Sequence, residues 1–355
     1  MSSSSNTLSP IKVGIVDDSP LIRQLISAAI EESPEFQIVG SAADPFEARE
    51  MIKRTNPDVI TLDIEMPRMN GIEFLDKIMK LRPMPVIMVS TLTHKGADIT
   101  LQALEMGALD YVPKPETSSG KDNILNTFRT VLIPKLKAVR SSNTAAMGHI
   151  QSHKPANINA PTKTNQNYDI IGIASSTGGI ERLRYLISNI SVNLPPIVII
   201  QHINKLYVPR MIERMQEIAP PHINIKLTRH NDKLQPNTIY FPDNITHLTV
   251  KKAGSSYRAH LIDKPPLNGF IASADYLFNS LAEESKNDKV LGLIISGMGN
   301  DGAEGLLKLK NAGGNTVGEN EASCLVYGMP KAAAAIGALN AEKTIQNISK
   351  LMNDA

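Results

Sequence analysis

Residues 168–179 read Tyr168-Asp169-Ile170-Ile171-Gly172-Ile173-Ala174-Ser175-Ser176-Thr177-Gly178-Gly179. An apolar, β-branched run stops at two serines, a threonine and two glycines, and Ile180-Glu181-Arg182-Leu183-Arg184-Tyr185-Leu186 then reads as a helix. A strand that turns sharply into a helix holds its turn residues at the strand's carboxyl edge, where α/β sheets bind ligands. The helix N-terminus adds unpaired N–H groups and positive potential at that point. A hydroxyl in such a turn is either a phosphate ligand or a nucleophile.

The rest of the chain repeats the alternation. Strand-like runs at 12–16, 37–41, 59–62, 86–89 and 111–112 are separated by helical periods starting at Ser19, Pro45, Asn70, Gly96 and Lys121. Strict alternation implies parallel strands with helices on both faces, and right-handed crossovers put every strand's carboxyl end on one edge. Residues 141–167 are rich in Ser, Asn, Thr, Lys, Pro and Ala and nearly empty of large apolar side chains, which reads as a flexible linker. Beyond Tyr168, apolar runs recur at 170–174, 197–201, 224–227, 238–241, 247–250, 290–296 and 315–318. The middle runs, with Asn and Pro turns between them, read as short hairpins inserted in an otherwise doubly wound, mainly parallel α/β layout. The expected organisation is a disordered tail at 1–9, an α/β domain at 10–140, the linker at 141–167 and a second α/β domain at 168–355.

Composition excludes several classes. The 355 residues carry a net charge of +2, so nothing global argues for nucleic acid or an anionic membrane. One cysteine, Cys324, rules out an intramolecular disulfide and suits a reducing cytoplasm. No apolar run approaches membrane-spanning length, and the first residues lack the pattern of a signal peptide.

Asp17 and Asp18 end the first strand, Asp63 the third and Ser90-Thr91 the fourth, while Lys114 follows the fifth. Three carboxylates on one sheet edge repel one another unless a cation binds. Oxygen-only ligands favour Mg²⁺, with a lysine and a hydroxyl opposite to meet phosphoryl oxygens. One Asp is then a candidate nucleophile toward a phosphoryl donor.

A second constellation begins at Ser176. His202 ends the run Ile197-Val198-Ile199-Ile200-Gln201, and Asp301 lies in the turn Ser296-Gly297-Met298-Gly299-Asn300-Asp301-Gly302. Hydroxyl, imidazole and carboxylate at three strand-to-helix corners form the role set of acyl transfer. N–H groups beside Ser176, at Thr177, and in the 297–299 turn suit an oxyanion. The chain order Ser, His, Asp and the missing G-x-S-x-G argue against an α/β-hydrolase. A dinucleotide site is the competing reading, but G-x-G-x-x-G spacing and its following acid are absent. On composition, Ser175 rivals Ser176.

Residues 11–130 resemble a two-component receiver domain. The resemblance rests on Val16-Asp17-Asp18-Ser19, Asp63-Ile64-Glu65-Met66-Pro67-Arg68-Met69-Asn70-Gly71, Val89-Ser90-Thr91 and Asp110-Tyr111-Val112-Pro113-Lys114-Pro115. It implies a flavodoxin-like (βα)5 fold with Asp63 as phosphoacceptor. Mg²⁺ would be held by Asp17, Asp18, Asp63 and the Glu65 carbonyl. Ser90 and Lys114 would bind the phosphoryl group, and Tyr111 would be an aromatic switch. From Tyr168 the chain resembles the catalytic domain of the chemotaxis protein-glutamate methylesterase family. The motifs are Ser175-Ser176-Thr177-Gly178-Gly179, Gln201-His202, Lys264-Pro265-Pro266-Leu267-Asn268-Gly269-Phe270, the 296–302 turn and Val326-Tyr327-Gly328-Met329-Pro330. The resemblance implies Ser176 as nucleophile, His202 as base, Asp301 as orienting acid and the Met298 N–H in the oxyanion hole. No cofactor is expected in the ester site. Family members usually carry Gly two residues before the nucleophile, where this chain has Ala174. The implied substrates are chemoreceptor glutamyl methyl esters, and selected receptor glutamines. The implied phosphodonor is a histidine kinase, and the expected setting is a cytoplasmic monomer. The alternative is a receiver-controlled binding module without catalysis.

Overall fold

Val13, Ile15 and Val16 are fully buried in the first strand, β1 (Ile11–Val16), because both of its faces are covered by helices. In the computed structural model, which describes residues 9–91, 94–115, 120–143, 168–284 and 289–354, two compact units separate at Arg140 and Ser141. The first unit continues with β2 (Phe36–Ala42), β3 (Val59–Asp63), β4 (Val86–Thr91) and β5 (Asp110–Lys114). These form one parallel sheet in the order β2-β1-β3-β4-β5. Strand order reverses at β1, so the crevice beyond the ends of β1 and β3 is the topological switch point where such sheets bind ligands. The turns into the helices are built by capping. Ser19, Asp44 and Asn70 each accept a hydrogen bond from a first-turn N–H, and Pro20 and Pro45 follow where a missing N–H costs nothing. The last helix runs Lys121–Thr127, passes through a π turn at Phe128–Leu132 and continues as Ile133–Ala138. Pro134 explains the irregularity, since it has no N–H for the preceding turn.

The second unit holds β6 (Ile170–Ser175), β7 (Ile197–Gln201), β8 (Asn224–Leu227), β9 (Thr238–Phe241), β10 (His247–Ala253), β11 (Ser256–Ile262), β12 (Val290–Ile294), β13 (Asn315–Glu319) and β14 (Ala341–Lys343). Seven of these form a sheet in the order β14-β13-β12-β6-β7-β9-β8, parallel throughout. Only β10 and β11 pair as an antiparallel hairpin. The sequence reading put β8 and β9 among the hairpins as well. Their register is parallel, with Ile225 opposite Ile239. The Asn and Pro residues between them turn a crossover and not a hairpin. The switch point of this sheet lies between β6 and β12. Helix Ala274–Glu284 packs over it, with Phe278 and Leu281 against Gly172 of β6, and Leu306 and Leu309 of helix Ala303–Asn311 against Gly292 of β12.

Residues 1–8 of the expected tail and 144–167 of the expected linker lie outside the described residues. The first three linker residues do not stand free. Ser142 bridges to Val326, Asn143 N–H donates to the Leu325 carbonyl and the Ser141 carbonyl accepts from Tyr327 N–H. Among the described residues no helix is long and apolar enough to cross a membrane.

Candidate active site

In the first unit, Asp17, Asp18 and Asp63 converge, with one ligand oxygen of each lying within 4.8 Å of the others. Asp17 and Asp63 are buried and Asp18 is exposed. Lys114 Nζ lies 2.8 Å from Asp63 Oδ2 and 3.1 Å from Asp17 Oδ2. Burial, with the Asp17 charge next, pushes the Asp63 carboxyl up to about 6 against the pull of Lys114. Burial also raises Asp17 against the pull of the same lysine. Three converging carboxylates with one lysine between two of them leave an oxygen-only, net negative cluster that fits a hard divalent cation. Gly71 is required beside the cluster, because a Cβ there would collide with the Asp63 carbonyl. Ser90 is buried at the end of β4 and accepts from Thr100 Oγ1 at 2.7 Å. Tyr111 is buried, with Lys135 Nζ 5.0 Å from its ring centroid.

In the second unit the register pairs Ser175 with Gln201, so Ser176 and His202 leave adjacent strands side by side. His202 N–H donates to the Ser175 carbonyl at 3.0 Å. The two serines are easily told apart. Ser175 is fully buried and its hydroxyl donates to Gln201 Oε1 at 2.6 Å, whereas Ser176 retains 8% exposure and its hydroxyl is not engaged. Gly178 takes φ +73°, which starts the following helix abruptly; a Cβ there would meet Ser296 Oγ and Leu325 at 2.8 Å. Ala174 sits mid-sheet, fully buried between Ile200 and Ile294, so its methyl belongs to the core and not to the turn.

His202 Nε2 lies 2.8 Å from Asp301 Oδ2. Its Nδ1 is buried and without a hydrogen-bond partner. Phe270 stacks on the imidazole with centroids 3.8 Å apart and planes 4° from parallel. Asp301 is fully buried and sits among donors: Ser273 Oγ at 2.5 Å on Oδ1, and Ala274 N–H at 2.7 Å on Oδ2. Burial raises its pKa, but His202, Ser273 and Ala274 outweigh that, and the carboxyl ends below its ordinary value. The 297–299 turn lies against the serine, with Ser176 Cβ 3.0 Å from where a Gly297 Cβ would stand. Met298 follows, half-buried. Thr177 is buried, and its carbonyl accepts from Ser296 Oγ at 2.8 Å.

Residues 171–352 match the CheB methylesterase family and residues 13–125 the response regulator receiver domain. A relative from Vibrio vulnificus named protein-glutamate methylesterase/protein-glutamine glutaminase 2 is 41% identical over 97% of this chain and 98% of its own. The chain belongs to the CheB methylesterase family. A Caulobacter vibrioides relative, protein-glutamate methylesterase/protein-glutamine glutaminase 1, is 43% identical over 98% of each chain. The crystal structure of the Thermotoga maritima CheB methylesterase catalytic domain aligns with TM-score 0.50 and 26% identity, covering 53% of this chain and 98% of that one.

Two groups at this CheB-type site have no role assigned from the sequence, although Phe270 lies in one of the quoted motifs. Ser273 reads as an ordinary N-cap of helix Ala274–Glu284, and its hydroxyl does accept from Asp275 N–H at 3.2 Å. The same hydroxyl also donates to Asp301, a bond that no local pattern signals. Phe270 ends the Lys264–Phe270 motif, but its ring stacking depends on a tertiary contact. Ser273→Ala removes a charge-assisted bond worth about 1.5–3 kcal/mol. The Asp301 carboxyl should then titrate at higher pH than in wild type, read by ¹³C titration of that carboxyl; an unchanged titration would mean the bond contributes nothing.

Proposed function

We propose that the chain hydrolyses glutamate γ-methyl esters on chemoreceptors and deamidates selected receptor glutamines, under control of phosphorylation at Asp63. The observation that carries this reading is the His202–Asp301 bond of 2.8 Å beside a serine, with the other ring nitrogen left unpartnered. Ser176 Oγ attacks the γ-carbonyl and passes its proton to His202 Nδ1. Asp301 holds Nε2–H and stabilises the imidazolium that forms. The Met298 and Thr177 N–H groups meet the oxyanion. Collapse breaks the ester C–O bond, and methanol leaves with the proton from His202. Water then enters by the reverse route and restores a free glutamate and Ser176. With a glutamine amide the leaving group is ammonia and the product is the same glutamate.

The first unit, residues 10–140, acts as the receiver, residues 141–167 as the linker, and residues 168–355 as the catalytic domain. Asp63 accepts a phosphoryl group from a histidine kinase in the cytoplasm, with Lys114 and Ser90 holding the phosphoryl oxygens and Tyr111 responding to them. Asp17, Asp18, Asp63 and the Glu65 carbonyl would hold Mg²⁺, which neutralises charge on the donor when bound. Phosphorylation shifts the population toward the active state because the phosphoryl group favours that state.

Ser176→Ala should lower methanol release from methylated receptor membranes by roughly 10⁴-fold or more, while acetyl phosphate should activate wild type and not Asp63→Asn. Substantial release by folded Ser176→Ala protein would exclude the serine. Metal binding needs ionised carboxylates. With the Asp63 pKa near 6, Mg²⁺ affinity measured by calorimetry should be flat above that pH and should fall on acidification below it. Affinity independent of pH between 5 and 7 would remove Asp63 from the ligand set.

A further inference from the structure

Behind the catalytic turns lies a buried ion pair that the hydrolytic steps do not use. Arg182 Nε stands 3.3 Å from Glu319 Oε1, with side chains 1% and 0% exposed. Arg182 Nη2 also donates to the Ser323 carbonyl at 2.5 Å. Glu319 Oε1 accepts the Ser323 hydroxyl at 3.1 Å, and Oε2 accepts the Ser296 N–H at 3.0 Å.

Ser296 is the knot this carboxylate holds. It is fully buried, and its carbonyl accepts the Ser176 N–H at 3.0 Å. Its hydroxyl donates to the Thr177 carbonyl at 2.8 Å and accepts from Val326 N–H at 2.9 Å. The next two residues, Gly297 and Met298, open the proposed oxyanion turn. Arg182 lies in the first turn of helix Gly179–Ser188, which starts directly after the serine turn. Glu319 ends β13. The pair therefore braces the turn after β6 and the turn after β12 from behind.

Stability alone is a weak reason for such a pair, since replacing a buried ion pair with well-packed apolar groups is often neutral or stabilising. Burial raises the Glu319 carboxyl against the pull of Arg182, and it pushes neighbouring Glu181 up to about 7. The interior there is thus costly for charge, yet it carries three ionisable side chains next to the site.

We propose that Glu319, paired with Arg182, is a positioning residue that holds Ser296 so that Ser176 Oγ and the Met298 N–H address one substrate carbonyl. This inference rests on the assignment of Ser176 and Met298 above. Misplacing a reacting group by about 1 Å costs on the order of 10²-fold in rate, so loss of the brace should appear in kcat and not in KM.

The test uses the full chain activated by acetyl phosphate, with methylated receptor membranes as substrate. Rates are expressed per serine titrated by a fluorophosphonate, so that unfolded molecules do not count. Glu319→Gln should lower kcat at least about tenfold and leave KM within about twofold. The apolar double variant Arg182→Met/Glu319→Leu should recover thermal stability lost in Glu319→Gln without recovering kcat. Wild-type kcat per titrated serine in Glu319→Gln overturns the proposal, whether or not the double variant folds. So does a double variant whose kcat recovers together with its stability. Ser176→Ala is run alongside. If it retains methanol release, the assignment of the nucleophile fails. If it is silent while the Glu319 variants behave as wild type, only the positioning role fails.

Discussion

Asp301 carries a charge at a site with no exposure to water, and the catalytic unit is organised around keeping that charge satisfied. An isolated carboxylate there would take up a proton. Four groups prevent this: the His202 ring, the Ser273 hydroxyl and the N–H groups of Ala274 and Asp275. Two of them come from the start of helix Ala274–Glu284, the element that also packs over the switch point of the sheet. The carboxylate therefore fixes the imidazole to the same helix that closes the core. Phe270 stacks on the face of the His202 ring, and Nδ1 is the ring nitrogen left without a hydrogen-bond partner.

The two units apply one topological rule to different chemistry. In each, a parallel sheet reverses strand order, and reactive side chains gather beyond the carboxyl ends at that reversal. In the first unit the gathered groups are carboxylates facing a lysine, which suits a metal and a phosphoryl group. In the second they are a hydroxyl, an imidazole and one carboxylate, which suits acyl transfer. Small residues make both possible. Gly71 lets the helix entry approach the Asp63 carbonyl, and Gly297 lets the second turn lie against Ser176.

Much of this is legible in the sequence because the residues concerned sit at strand ends. Asp17, Asp63, Ser176, His202 and Asp301 each follow an apolar run, and parallel topology alone brings such positions to one edge. The choice between Ser175 and Ser176 was open on composition. Their environments differ sharply, since Ser175 is committed to Gln201. Three things were not legible. The parallel pairing of β8 and β9 depends on a crossover whose Asn and Pro turn residues look like those of a hairpin. The three-residue strand β14 is too short to carry a period. Ser273 and Glu319 act through contacts between segments far apart in the chain, Ser273 with Asp301 and Glu319 with Ser296. No local pattern encodes either.

The account stands on Ser176 being the reactive group and on Asp63 controlling it. The most direct measurement is mass-spectrometric mapping of the fluorophosphonate adduct on the full chain, with the labelling rate followed with and without acetyl phosphate. The account predicts an adduct on Ser176, formed faster when Asp63 can be phosphorylated and at an unchanged rate in Asp63→Asn. An adduct on Ser175, or labelling of Ser176 at a rate indifferent to acetyl phosphate in wild type, would contradict it.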